Sequence, residues 1–135
     1  MFVNRCQLEV RYYETDQMGI VHHSNYVRYF ECGRNASMIE VGLPMNKLEE
    51  YGIMMPVVSV GVKYKVPARF GDTLTIVSKI AQEPKVRIVV ETEIYNQNNE
   101  LICSGEVILG FIHSDTRRVT RAPQPFVDAF KPYFE

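Results

Sequence analysis

The sequence has too few cysteines to be held together by them. Its three, Cys6, Cys32 and Cys103, are odd in number, far apart and each set in an apolar stretch. They read as buried free thiols rather than a disulfide framework, which suits a reducing compartment. Excess charge of either sign is also lacking. Fifteen Lys and Arg stand against 16 Asp and Glu, so the clustered basic surface of a nucleic-acid binder is not expected. No stretch approaches the roughly 18 apolar residues of a membrane span. The opening segment, Met1 to Val10, carries Arg5 and Glu9 instead of the apolar run of a signal peptide. Internal repeats, low-complexity tracts and linkers are missing too. A cytoplasmic protein is expected, with no membrane span and no nucleic-acid partner.

What is present is an ordinary globular composition, 46% hydrophobic and 23% charged over 135 residues. That length fits one domain, residues 1–135. A domain of this size buries roughly two-thirds of its unfolded surface, enough core to fold without disulfides or a metal.

Periodicity then divides the chain. Cys6, Leu8, Val10 and Tyr12 alternate with Gln7, Glu9 and Arg11, predicting a half-buried strand over 6–12. Glu14 to His23 breaks the period and contains Gly19, so it reads as a loop. Ser24 is a candidate N-cap for a helix from Asn25 to about Val41, with Tyr26, Tyr29, Phe30, Gly33, Ala36 and Ile39 near helical spacing. Gly42-Leu43-Pro44 stops it. The small residues Gly33 and Ala36 predict close approach to a sheet. A helical turn over 47–52 follows, then four alternating segments: Val58 to Tyr64, Leu74 to Ile80, Val86 to Ile94, and Leu101 to Ile112. Turn chemistry sits at each joint, in Pro67 to Asp72, Gln82-Glu83-Pro84 and Asn96 to Glu100. A short amphipathic tail ends in Phe134. The pattern is α+β: one long helix against a five-stranded, mostly antiparallel sheet, with the four later strands in hairpin succession. Such a sheet has unblocked edges, and pairing across a two-fold axis would satisfy one of them. A dimer at least is expected.

The densest polar cluster is the loop Tyr13-Glu14-Thr15-Asp16-Gln17-Met18-Gly19-Ile20-Val21-His22-His23-Ser24-Asn25-Tyr26. It runs from a strand into a helix start, whose free amides and dipole favour negative charge. The same amides can polarise a carbonyl and hold the oxyanion formed on attack. A carboxylate beside them could act as nucleophile or as base on water. An Asp at a helix start is also an ordinary solvated cap, and the residues alone do not choose between the two. His22-His23 makes a poor metal site, because adjacent side chains seldom face one ion and no third His or Cys lies nearby. No metal and no cofactor are expected. Ser59 and Ser104 lack the strand-turn-helix context of a nucleophilic serine, and Cys32 reads as core packing.

Asp16, Gly19, Ile20, Val21, Ser24, Asn25 and Tyr26 together resemble the amino-terminal motif of the 4-hydroxybenzoyl-CoA thioesterase family, including its relatives associated with the Tol-Pal cluster. The resemblance continues through Pro56-Val57-Val58-Ser59 and Ala68-Arg69-Phe70-Gly71-Asp72-Thr73-Leu74, so it covers most of the chain. It implies the hotdog fold and hydrolysis of an acyl-coenzyme A thioester, with the site at the subunit interface of a homodimer or homotetramer. Asp16 matches the catalytic carboxylate. His23 falls where a backbone N–H faces the thioester carbonyl and where a histidine is a proposed catalytic partner. Tyr13, or Tyr12 beside it, falls near a tyrosine that the Tol-Pal relatives use. Asn25 and Tyr26 lie where substrate contact or orientation of the loop would serve. The resemblance places Ser59 and Val60 on the partner's side of the site. It also makes Lys85 and Arg87, with Lys65 and Arg69, the candidates for the coenzyme phosphates. Tyr29, Met54 and Met55 are candidates to close the acyl pocket. Rival readings are a dehydratase or acyl-carrier-protein thioesterase of the same fold, a non-catalytic acyl-CoA-binding protein, and an interaction module using the sheet edge and the tail's aromatics.

Overall fold

Apolar side chains at every second position build a five-stranded sheet whose buried face rests on one long helix. The computed structural model describes residues Met1–Glu135. In chain order the elements are β1 (Phe2–Glu9), α1 (Ser24–Glu40), α2 (Met45–Glu50), β2 (Ile53–Met54), β3 (Val57–Tyr64), β4 (Thr73–Ile80), β5 (Ile88–Tyr95), β6 (Leu101–Leu109), β7 (Phe111–His113), β8 (Val119–Thr120) and α3 (Gln124–Phe130). The main sheet runs β1-β4-β5-β6-β3, and every pairing in it is antiparallel. Leu74, Ile76 and Ile80 of β4, Ile88, Val90 and Ile94 of β5, and Cys103, Val107 and Leu109 of β6 form the core with Tyr26, Tyr29 and Phe30 of α1.

The predicted close approach of α1 to the sheet is present at Gly33. A Cβ there would lie 2.6 Å from Ser78 Oγ and 2.7 Å from Ile76 Cγ2. Gly105 on β6 does the same for Phe30, whose ring would meet an added Cβ at 2.5 Å. These two glycines let a bulky helix face lie flat on a sheet.

Several expectations are corrected. The first strand begins earlier and ends earlier than residues 6–12. Phe2 already pairs with Ile80, and after Val10 the chain tightens into a 3-10 turn at Tyr12–Glu14. Tyr12 is therefore 77% exposed rather than facing inward. Helix α1 begins at Ser24 itself, and the Ser24 hydroxyl bonds the His22 ring instead of capping an amide. Ile39 points to solvent, while Ser37 takes the inward place and donates its hydroxyl to the Gly33 carbonyl. Cys32 is exposed on the outer face of α1, Cys6 is half-buried, and only Cys103 is fully enclosed. Burial pushes the Cys103 thiol up to about 12.

The four later strands do not form one hairpin succession. β3 pairs with β6 and β4 with β1, so residues 65–72 cross from one side of the sheet to the other. The last run breaks at Gly110, and β7 leaves the main sheet to pair with β2 and β8 in a small second one. Val86 lies outside β5 and is half exposed. The tail aromatics are largely turned inward, with Tyr133 alone among them exposed. Phe126 and Phe130 are wholly buried, edge-on to Phe111 at 5.0 Å and to Phe2 at 5.4 Å.

Candidate active site

The two segments that carry the sequence motif meet at one end of the sheet. After Val10, the Arg11–Glu14 turn folds the Glu14 side chain inward to 7% exposure. Its Oε1 accepts from the Arg11 N–H at 2.8 Å and from the Tyr29 hydroxyl at 3.0 Å, and its Oε2 lies 3.6 Å from the Arg11 guanidinium. Burial, and then the Glu14 carboxylate, push the Tyr29 hydroxyl well above the ordinary tyrosine range. The Glu14 carbonyl accepts the His22 N–H and the Asn25 side-chain amide, each at 2.9 Å. A buried carboxylate thus fixes the start of the loop to α1. Glu14 did not stand out in the sequence as a site residue, and Tyr29 was expected at the acyl pocket rather than on Glu14, because their pairing spans 15 positions with no local signal.

Asp16 sits on the next turn. Its N–H donates to the Ile20 carbonyl at 2.8 Å, and its carbonyl accepts from Gly19 at 3.0 Å, with Gly19 at φ +76°. The loop amides of Met18 and Ile20 both donate to Asp16 Oδ1, at 2.8 and 3.4 Å. Both bonds fall on one oxygen, so Oδ2 lies outside this ring, and the half-buried carboxylate keeps one face for another group. The loop is clamped onto the second motif: Val21 N–H donates to Ala68 O at 2.8 Å, Phe70 N–H to Gly19 O at 3.3 Å, and Ile20 bridges Arg69. Tyr26, 4% exposed, accepts the Ala68 N–H on its hydroxyl at 3.1 Å.

Just beyond, α1 presents its N-terminus. The His22 ring takes the Ser24 hydroxyl at 2.8 Å, and the His22 and His23 rings lie 4.2 Å apart. The His23 N–H makes no backbone hydrogen bond. It therefore stands as an open donor at the positive end of a 17-residue helix.

The structure gathers Asp16, His23, Asn25, Tyr26 and Arg69 into this one cluster. Asn25 and Tyr26 are buried and turned to the loop backbone. Tyr12 is laid edge-on against Phe70 at 5.7 Å, whereas Tyr13 is 76% exposed. Lys65 follows the end of β3 at the same end of the sheet, where Tyr64 packs 5.5 Å from Tyr26. Ser59 and Val60 lie nearer the start of β3, on the free edge of the sheet. Lys85 and Arg87 precede β5 at the opposite end, far from Asp16 within one chain. No three His, Cys, Asp or Glu side chains converge as a metal site.

A concavity opens at that opposite end. It is an apolar groove of about 570 Å³ between the later half of α1, α2 and the strand ends, lined among others by Arg34, Met38, Leu43, Leu48, Met55 and Val57. Of Tyr29, Met54 and Met55, only Met55 reaches it.

Residues 10–130 match the thioesterase-like superfamily. The Bacillus subtilis protein YneP is 39% identical over 101 residues, 75% of this chain and 73% of that one. The acyl-CoA thioesterase YbgC of Helicobacter pylori is 31% identical over 131 residues, covering 90% of this chain and 94% of that one. Among solved structures, the DHNA-CoA thioesterase of Staphylococcus aureus superposes with a TM-score of 0.90 at 30% identity, over 99% of this chain and 90% of that chain. The architecture is the hotdog fold common to these thioesterases.

Proposed function

The chain belongs to the thioesterase-like superfamily, and from that premise we propose that it hydrolyses an acyl-coenzyme A thioester to the free acid and coenzyme A, with Asp16 as the reacting carboxylate. The observation that carries this reading is that one loop leading into α1 holds both an anchored Asp16, one oxygen free of the loop amides, and an open His23 N–H at the helix start. The thioester carbonyl oxygen lies on that N–H, where the helix end stabilises the charge that develops on it. Asp16 either takes a proton from a water attacking the carbonyl carbon or attacks it directly. In the first course a C–O bond forms, the C–S bond breaks, and the thiolate leaves and is protonated. In the second, Asp16 forms an acyl-aspartyl anhydride as the C–S bond breaks and the thiolate leaves to be protonated, and water then cleaves the anhydride to free acid and Asp16. Thiolate leaves readily, so positioning and oxyanion stabilisation are the main demands.

Glu14, Asn25 and Tyr26 serve as positioning residues that hold loop and helix in register. The His23 imidazole is exposed beside the carbonyl site, and Tyr13 stands further out on the rim.

The site is completed by a second copy of the chain. β3 is a free edge with Val57, Val58, Val60 and Tyr64 each at least 42% exposed, more apolar area than an isolated edge strand carries without cover. Two-fold antiparallel pairing of β3 about an axis between Val60 and Gly61 would set Val57 of one copy opposite Tyr64 of the other. The second copy's Ser59 and Val60 then approach the Asp16 loop, and its Lys85 and Arg87 move to the same end as Lys65 and Arg69. These basic groups would receive the coenzyme phosphates.

The test is thiol release from benzoyl-, short-, medium- and long-chain acyl-CoAs, with acyl-carrier-protein thioesters alongside. Rapid release from a coenzyme A thioester is expected. Release from the carrier-protein thioesters alone would move the substrate class. Ligand-induced stabilisation without any release would make the chain a binding protein.

A further inference from the structure

Four buried side-chain polar atoms in the chain have no hydrogen-bond partner: Asn4 Oδ1, Arg34 Nη1, Ser78 Oγ and Thr92 Oγ1. Their placement is not scattered. Asn4, Ser78 and Thr92 are successive cross-strand neighbours on β1, β4 and β5, in one row beneath α1. Arg34 projects from α1 into the apolar groove beside them. Of the four, only Arg34 lines that groove.

Arg34 is only half-buried, but its Nη1 is enclosed without an acceptor, and an enclosed donor on a charged group gives up hydration and receives nothing in return. Burial pulls the Arg34 guanidinium below its ordinary value, and Glu31 pulls it back only through space. Neither ion pair in the chain involves Arg34. Of the other polar residues lining the groove, Ser37 Oγ is already bonded to the Gly33 carbonyl and Glu31 and Asn35 are solvent-exposed, while most of the lining is hydrophobic. A largely apolar concavity with one aimed polar group is how a binding site fixes one end of its ligand.

We infer that this groove seats the acyl group and that Arg34 selects one bearing an acceptor oxygen, as hydroxyl or carboxylate, at the end remote from the thioester. The assignment rests on the composite site proposed above. Val57 lines the groove and lies on the β3 edge. Two-fold pairing of that edge brings the second copy's helix start, with its Asp16 and His23, to the groove's mouth. The volume of about 570 Å³ is of the size that holds a small organic ligand.

The experiment is titration calorimetry of decanoyl-CoA, ω-hydroxydecanoyl-CoA and the mono-thioester of sebacic acid with the Asp16→Asn protein. The coenzyme is common to all three, so differences in affinity report the distal end. At least one oxygenated ligand should bind about tenfold or more tighter than decanoyl-CoA, the scale of one hydrogen bond to a charged group. Which of the two prevails tells hydroxyl from carboxylate. Adding Arg34→Met should erase the preference, and Arg34→Lys should restore part of it. Equal or better binding of decanoyl-CoA, or a preference that survives Arg34→Met, overturns the inference. Should Arg34→Met fail to fold, the ranking with Arg34 present decides alone. A groove holding only ordered water at Arg34 would show no preference. The hydrolysis reading fails separately: unchanged Asp16 protein that binds with this preference and releases no thiol loses the enzyme and keeps the pocket.

Discussion

Glu14 lies buried two residues from the half-buried Asp16, and nothing in their immediate sequence foretells the difference. Asp16 was legible because it heads a motif of fixed spacing, and its place on a strand-to-helix loop followed from the broken alternation. Glu14 was not, because its partners Tyr29 and Arg11 are fixed by how α1 lies on the sheet. Glu14→Ala leaves the Tyr29 hydroxyl buried without an acceptor, so unfolding in urea should show a loss of about 1–3 kcal/mol, and Glu14→Gln should lose less. Cysteine burial was half legible: Cys103 alternates within a strand, whereas Cys32 sits in an apolar stretch of sequence but on the outer side of a helix. The Cys103 thiol, pushed up to about 12 by burial from 9.0, resists ionisation only in the folded state. Its contribution is thus intact below about pH 9 and is lost as pH rises toward 12. The urea midpoint should fall with pH above 9, and Cys103→Ala should make that fall shallower.

At the scale of elements, period-two and helical spacing located α1 and the five main strands, since both report one buried face. They failed where tertiary contacts override the period. Pro67 to Asp72 read as a hairpin turn and belong to a crossover over residues 65–72, pinned by Ala68 between Val21 and the Tyr26 hydroxyl. The break at Gly110 was invisible in a continuous apolar run, because β6 and β7 are both half-buried and differ only in the sheet they join. The small residue at Gly33 was the clearest local signal of packing. Gly33→Ala forces a Cβ against Ser78 Oγ and Ile76, and overpacking of this kind costs about 1–3 kcal/mol. Chemical denaturation of Gly33→Ala with and without Ser78→Ala checks it: the second change should recover part of the loss.

The main sheet ends in two edge strands, β1 and β3, and the proposed composite site depends on β3 being covered. β3 alternates in sequence like its neighbours, yet nearly all of it is exposed in the single chain; the alternation registers a face that a second copy would bury. Val60→Lys, which puts a charge on that edge, should yield a monomer by light scattering, with turnover falling in step. An active monomer would detach the site from the edge.

The most direct test of the account remains chemical: single-turnover thiol release by Asp16→Asn on the best acyl-CoA substrate, with circular dichroism and oligomeric state matched to the parent protein. A fall of at least about a hundredfold is expected with fold and assembly unchanged, the scale of losing a general base or nucleophile. Turnover near that of the parent protein would contradict it, and would leave the helix end without the carboxylate assigned to it.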